Sequence, residues 1–432
     1  MTETLTAVEM EKAAANSMFT SDQKAKLVIR TEVLKEAIRK VSGTIKPHNT
    51  IPALAGIYMH ANNDRIVFRA SNSNYSTEYI VDDLESFMVD GNEAAIVFPG
   101  KKFADIINKM TGKNITIEFD GLWTKIKSGG AKPSLAGMHH EEFPRFPEVN
   151  PQTSFSMSAA SLLKMYHKTM YAASTSETRP VLTGINHEII DKEFRCIVTD
   201  SHRLSRQYHN LPVEVENMNK TVPADTIKEV IKHLAQSEIV ELAFDESNVI
   251  YKMDSATIYS RVLEGNYPAT DRLIPPKVQT TARFIVGNLI SLLERVNLFK
   301  DDTQQNAVAN MIIHADDGQM RVLSNNTSMG QAQEDIVISK GTGNNLVLCA
   351  SVKFLLDALK TYDVNEEIEF GFVSATTPFT IRALSEDERN IDLVLPIRPT
   401  KEIEDEIKDF NPGEGEDDPL LKRNETEKME VA

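Results

Sequence analysis

The sequence predicts an α+β protein made of three tandem copies of one domain, each with two helices and several strands. Two periodicities point to this. Six segments place apolar residues at i, i+3, i+4 and i+7, the mark of one buried helical face, and they recur about every 60–70 residues. A second, longer period of about 128 residues copies whole motifs from one part of the chain to another. Self-similarity at a fixed period is the signature of a repeated architecture.

In chain order, the first apolar stripe is Leu34, Ala37, Ile38 and Val41, and the second is Phe103, Ile106, Ile107 and Met110. The third is Leu162, Met165, Tyr166 and Thr169, and the fourth Ile227, Val230, Ile231 and Leu234. The last two are Leu289, Leu292, Leu293, Val296 and Val352, Leu355, Leu356, Leu359. Between them lie alternating or β-branched runs, Ile115–Phe119, Ile239–Phe244 and Ile368–Phe372, which read as strands. The longer repeat aligns Pro52–Ile57 with Pro180–Ile185, and Ala70-Ser71-Asn72 with Val198-Thr199-Asp200. A looser third copy runs through Asn306–Met311 and Leu323-Ser324-Asn325. Pro and Gln cluster near Pro147–Thr153 and Ile274–Thr281, which places the domain boundaries there. The expected organisation is an N-terminal extension at 1–25, domains at 26–148, 149–278 and 279–400, and a disordered acidic tail at 401–432.

Composition narrows the class. The chain has 432 residues, of which 41% are hydrophobic and 25% charged, as in ordinary soluble proteins. No apolar run approaches the ~18 residues of a membrane span, so no membrane partner is expected. Met1–Lys26 lacks the apolar core of a secretory signal. Only Cys196 and Cys349 occur, which fits a reducing, cytoplasmic setting and excludes a disulfide scaffold. The net charge is −16. From Lys401 to Ala432 there are twelve Asp/Glu against five Lys/Arg, so the tail carries −7 and residues 1–400 carry −9.

Against this acidity, the helices are basic on the side away from their apolar stripes. Offsets +1, +2, +5 and +6 hold Lys35, Arg39 and Lys40 in the first helix, and Lys109 in the second. The third has Lys164, His167 and Lys168, and the fourth Lys228, Lys232 and His233. The fifth offers Arg295, and the sixth Lys353 against Asp357. Positive helix faces on an acidic protein suggest a surface that meets phosphate without gripping it. A few scattered cations give weak, salt-dependent and sequence-independent attraction. No zinc finger, recognition helix or RNP aromatic set is evident. A protein that moves along a duplex needs this weak attraction, and needs retention from something other than affinity.

Glu177–Gly184, Thr199–Leu204, Glu264–Pro268 and Leu395–Arg398, in that order and spacing, resemble the bacterial sliding clamp family, the β subunit of DNA polymerase III. Ser324–Asn326 and Phe354–Leu359 resemble its third domain. The resemblance covers about residues 26–400. It implies a head-to-tail homodimer forming a six-domain ring, with helices lining the hole and double-stranded DNA threaded through it. It implies no catalysis and no cofactor. The implied partners are the replicative polymerase catalytic subunit and a clamp loader, with repair polymerases, mismatch-repair proteins and ligase as further ones.

The resemblance also implies sites. The family's partner cleft, between its second and third domains, matches Leu182, Thr199, Ser201, His202, Arg203, Leu204 and Pro268. It continues through Arg272, Leu273, Ser351, Phe354, Leu393, Leu395, Pro396, Ile397 and Arg398. Leucines and a proline suit apolar peptide anchors, and Arg and Thr edges suit a peptide backbone. Lys46-Pro47-His48 matches a DNA-contacting loop, and Ser176–Arg179 a second contact region. With the helix cations, the expected DNA-binding residues are Arg39, Lys46, His48, Lys109, Lys168, Arg179 and Lys232. The subunit contact is expected to place Leu135 against Leu298 and Phe299. The family usually stops soon after the Leu-Pro-x-Arg element, so the tail leaves directly from the partner site. It reads either as a solubilising appendage or as a shield for that site.

Other chemistry is not expected. Asp200, Ser201 and His202 have triad residue types, but neighbours on a strand or tight turn point apart. His139-His140-Glu141-Glu142 has metal-capable side chains in an apparent connector, without a matching distant ligand set, so no metal site is expected. Two other functional readings stay open. One is a clamp-like decoy that sequesters polymerase or repair factors without being loaded on DNA. The other is a hydrolase centred on Asp200 and His202.

Overall fold

The computed structural model describes residues 24–46, 51–91, 93–146, 150–299, 308–315, 317–326 and 330–398. The N-terminal extension, the acidic tail and His48 lie outside the described residues. The chain folds as two compact units, Met1–Pro268 and Ala269–Ala432.

Six α-helices occur among the described residues: α1 (Thr31–Ser42), α2 (Gly100–Asn108), α3 (Ala159–Thr169), α4 (Ala224–Leu234), α5 (Val286–Val296) and α6 (Val352–Leu359). Each corresponds to one of the six apolar stripes. They pack in pairs, α1 on α2, α3 on α4 and α5 on α6. Every one of them follows a strand with no intervening loop. This strand-to-helix unit is the physical content of the shorter period. Leu34, Ile38 and Val41 of α1 are fully buried, and burial of such a side chain stabilises by about 1.5–3 kcal/mol.

In the first unit, Lys24–Arg30 lies between Phe87–Gly91 and Asn114–Asp120 in a five-stranded antiparallel sheet that ends in Trp123–Lys127 and Ser134–Ala136. Two cores form, one from residues between Ala25 and Leu135, the other chiefly from residues between Phe155 and Ile258. A shared eight-stranded sheet joins them, because Tyr75–Val81 of the first copy pairs antiparallel with Ala256–Arg261 of the second. The second copy also carries the antiparallel run Met218–Pro223, Gly184–Ile190, Glu193–Thr199 and Arg203–Asn210. In the second unit, Thr280–Ile285 pairs with Glu367–Phe372, which continues through Phe379–Ala383 to Ile391–Val394. A four-stranded sheet there runs Gly330–Val337, Gln319–Asn326, Val308–His314, Leu346–Ser351.

The 128-residue repeat has a structural cause at two places. Pro52–Ala55 and Pro180–Thr183 are both single 3₁₀ turns that feed straight into a strand. The glycine that starts each strand has no room for a side chain: a Cβ on Gly56 would stand 2.4 Å from Val97 Cγ1, and one on Gly184 2.4 Å from the Val222 carbonyl oxygen. Further on, Asn72 Oδ1 accepts the backbone N–H groups of Asn74 and Tyr75, at 2.8 and 3.0 Å. Asp200 Oδ1 accepts those of His202 and Arg203, at 2.9 and 3.0 Å. Both copies therefore close the same turn with the same side-chain oxygen.

The second core holds a polar chain. The Tyr166 hydroxyl lies 2.7 Å from His187 Nε2 and donates to the Tyr251 hydroxyl at 3.1 Å, while His187 Nδ1 is 3.0 Å from the Ile185 carbonyl oxygen. Burial pushes the His187 pKa down to about 4. An unfolded chain protonates this ring near pH 6.5, so between pH 6.5 and 4 the unfolded state takes up a proton that the native state refuses. Stability is therefore full above about pH 6.5 and falls as the pH drops towards 4. From a native pKa of about 4, the loss by pH 4 amounts to about 3 kcal/mol. Urea unfolding followed from pH 7.5 to 4 checks this. In His187→Leu the unfolding curve starts less stable at pH 7.5 but loses the part of the acid slope that His187 contributes.

Candidate DNA-facing helices and partner surfaces

The helix cations divide into three groups. Lys101, Lys102 and Lys109 of the α2 region are exposed, as are Lys164 and His167 of α3 and Arg179 at the start of its 3₁₀ turn. Others are exposed but paired. Arg39 makes a bidentate contact with Glu36, with Nη2–Oε1 at 2.6 Å and Nε–Oε2 at 3.0 Å. Lys232 donates to Glu229 Oε2 at 2.7 Å, and Lys46 to Asp225 Oδ2 at 3.4 Å. Glu229 is itself buried on α4, and its pKa is held low: burial raises it, but the neighbouring His233 and Lys232 outweigh that. In the second unit Arg295 is held by Glu334, and Lys360 by Glu294 at 2.9 Å.

The third group is buried. Lys40, Lys168 and His233 all stand at offset +6 from the start of their stripes, and all three are under 10% exposed. The expectation that this offset lies opposite the apolar face is corrected here. Offset +6 sits about 110° from the stripe's centre, on a flank, and in helices packed in pairs on a sheet the flank is covered too. Burial lowers the Lys40 pKa, partly offset by Glu36. Lys168, expected as a DNA contact, thus faces the interior.

The residues matching the family's partner site fall on both units. In the first unit Leu182, Thr199, Arg203 and Leu204 are buried, while Ser201, His202 and Pro268 are exposed. The turn that presents them is tightly tied. Asp200 Oδ2 accepts Arg203 Nε at 2.9 Å, and the Arg203 guanidinium lies over the Tyr171 ring, 5.3 Å from its centroid. Thr199 donates its N–H to the Tyr267 hydroxyl at 2.8 Å and its own hydroxyl to the Arg203 carbonyl oxygen at 2.6 Å. Ser201 sits at φ +80°, the left-handed region that side chains other than glycine seldom adopt. The Asp200 carboxylate is thus engaged by two backbone N–H groups and Arg203, a turn-closing role. Tyr171 and Tyr267 support this turn and were not among the residues carried over, while the structural role of Asp200 follows from its match to Asn72 in the repeat. Tyr267 lay within the quoted Glu264–Pro268 motif, but no spacing tied it to Thr199.

In the second unit, Arg272 and Leu273 are exposed on the 3₁₀ turn Asp271–Leu273, and Leu393 is buried in its strand. Ile397 donates its N–H to the Cys349 carbonyl oxygen at 2.7 Å. That bond lays Leu395–Arg398 beside Leu346–Ser351, whose last residue caps α6: Ser351 Oγ accepts the Phe354 N–H at 3.4 Å. Leu395, Pro396 and Phe354 are half-buried, and Ile397 and Arg398 are exposed. At the expected subunit contact, Leu298 is 72% exposed and Phe299 half-buried, on the 3₁₀ turn Asn297–Phe299. Leu135, by contrast, packs into the first core.

Comparison with known proteins settles the ancestry of this arrangement. Family models for the N-terminal, central and C-terminal domains of the DNA polymerase III beta subunit match residues 25–147, 156–269 and 271–398. The chain belongs to the DNA polymerase III β-subunit family. It is similar to the "Beta sliding clamp" of Staphylococcus epidermidis RP62A, 31% identical over 373 residues, covering 84% of this chain and 97% of the relative. The Bacillus subtilis 168 protein of the same description is 31% identical over 380 residues, covering 86% and 99%. The crystal structure of the Bacillus subtilis DNA polymerase sliding clamp superposes with a TM-score of 0.83 at 30% identity, covering 88% of this chain and all of that one. As a member of this family, the chain is a β sliding clamp of DNA polymerase III, a non-catalytic processivity factor. The hydrolase reading falls with that assignment. Among the described residues, no helix is long and apolar enough to cross a membrane.

The turn makes a graded prediction. Asp200→Ala removes the carboxylate beside the buried Arg203 guanidinium and leaves two backbone donors without their acceptor. It is expected to cost about 2–3 kcal/mol in urea unfolding. Asp200→Asn keeps the turn-closing oxygen, as Asn72 does in the first copy, and is expected to cost about half as much or less. Equal losses would mean that the charge on Arg203, and not the turn, sets the cost.

Proposed function

We propose that two copies of this chain join head to tail into a ring of six domains that encircles duplex DNA and tethers the replicative polymerase catalytic subunit. The observation that carries this reading is the tiling of residues 25–398 by the three β-subunit domain models, in order. The domain bounds are 26–148, 149–278 and 279–400. A clamp loader opens the ring, and the protein works in the cytoplasm. Leu298 and Phe299 lie at the subunit contact.

The lining attracts DNA weakly by construction. Lys109 and Arg179 are exposed to meet phosphate, and His48, outside the described residues, is a further contact in this reading. Arg39, Lys46 and Lys232 each already face a carboxylate, so a phosphate exchanges one anion for another. Lys168 is buried and is left out of the lining. Exchange of this kind favours gliding over gripping, and threading supplies retention. Partners dock through short linear motifs at the residues that match the family's partner cleft: Leu182, Thr199, Ser201, His202, Arg203, Leu204, Pro268, Arg272, Leu273, Ser351, Phe354, Leu393, Leu395, Pro396, Ile397 and Arg398. Repair polymerases, mismatch-repair proteins and ligase use the same cleft.

Loaded onto nicked circular DNA, the protein stays bound through gel filtration and is lost once the circle is cut. Loss from circle and linear DNA alike, with polymerase-derived peptide still bound, would instead identify a decoy. Deleting Leu395–Arg398 abolishes polymerase stimulation while the dimer survives sedimentation; unchanged stimulation refutes the cleft assignment. Truncation at residue 400 leaves affinity for a polymerase-derived peptide unchanged or raises it, measured by fluorescence anisotropy. A clear loss would make the tail part of the site.

A further inference from the structure

The segment after the first domain's last strand carries two imidazoles and two carboxylates in a row. The fold adds to them. Met138 pairs antiparallel with Val97, its N–H donating to the Val97 carbonyl oxygen at 2.8 Å and accepting in return at 3.1 Å. The segment can lie this close because Gly137 has no side chain; a Cβ there would stand 2.5 Å from Ile96 Cδ1. The strand holding Val97, Ala94–Pro99, pairs on its other side with Gly56–Ala61, which sets His60 opposite Ala95. His60 and Glu93, 79 and 46 residues upstream of His139, form a pair nearby, with His60 Nε2 3.1 Å from Glu93 Oε2.

One ligand atom each from His139, His140 and Glu141 lies within 4.8 Å of the others. The two imidazole rings face each other, centroids 4.6 Å apart and tilted by 30°. His139 is positioned by a capping arrangement: its N–H donates to Glu142 Oε1 at 3.1 Å, and its Nδ1 accepts the Glu141 N–H at 3.4 Å. Burial first, then the neighbouring His139, lowers the His140 pKa, with His60 pushing the same way and Glu141 and Glu93 opposing. His60 and Glu93 are therefore near enough to His140 to act on it electrostatically. The imidazoles are half-buried and the carboxylates exposed, an arrangement open to an ion arriving from solvent.

We propose that His139, His140 and Glu141, with His60 and Glu93 alongside, form a binding site for a divalent transition-metal ion that staples this segment to the edge of the first domain's sheet. Mixed imidazole and carboxylate donors suit Zn²⁺ and its neighbours, whereas Mg²⁺ prefers all-oxygen octahedral sites. The ion has no part in clamp chemistry. It ties residues distant in sequence, so its binding adds to the stability of the folded state.

Isothermal titration of the full-length, tag-free chain with Zn²⁺, and separately with Mg²⁺, tests this. The expected result is one Zn²⁺ site per chain, weakened about tenfold or more by His140→Ala and by His60→Ala and unaffected by the unrelated His209→Ala. Zn²⁺ also raises the melting temperature of the wild type, and both site variants lose that rise. Co²⁺ offers a readout on the unmodified chain: a strong visible d–d band marks coordination by protein ligands. Zn²⁺ affinity unchanged in the His60→Ala/His140→Ala double variant would overturn the site, as would Mg²⁺ binding as tight as Zn²⁺. So would a Co²⁺ spectrum no stronger than that of the hydrated ion.

Discussion

Every copy in this chain rests on one constraint: a strand runs without a loop into a helix, and that helix is packed against a partner helix. The arrangement fixes which residues of each helix remain available. With one stripe buried and one flank covered, only the far face and the ends are left for charge. Arg39 and Lys232 stand on that remaining surface, each beside a carboxylate of its own helix. Lys40, Lys168 and His233 lie on the covered flank. The positive character of the helices is thus rationed by packing before any nucleic acid is considered.

The same constraint explains why one turn recurs. A strand that must enter beside its neighbours needs a glycine where backbone and side chain crowd it, as at Gly56 and Gly184. The turn between the next two strands needs an acceptor at its first corner, supplied by Asn72 in one copy and Asp200 in the other. In the first copy the side chain also reaches back, Asn72 Nδ2 donating to the Thr44 carbonyl oxygen at 2.8 Å. In the second copy the charge is used instead to hold Arg203. One scaffold position thus serves as a tie to a neighbouring loop in one copy and as the partner of an arginine in the other.

Much of this was legible in the sequence. The six stripes located all six described helices, because a helix with one buried face must repeat its apolar residues at that spacing. The repeat of Pro52–Ile57 in Pro180–Ile185 marked a real local structure. The flanks were not legible, since periodicity in one helix carries no information about which neighbour covers its sides. Tyr171 and Tyr267 escaped for a related reason: each acts through a contact made in three dimensions, Tyr171 beneath the Arg203 guanidinium and Tyr267 accepting the Thr199 N–H. His60 and Glu93 were likewise invisible beside His139 and His140, because they lie far upstream and act on His140 only in the folded chain.

The central claim is that two such chains close around a duplex, so that mild attraction suffices where threading retains. Electron microscopy of the purified full-length protein tests this most directly. The account requires single particles in the form of a closed toroid with six lobes and an open centre. A field of solitary, open subunits at every concentration, even with a loading machine and primed template supplied, would contradict it.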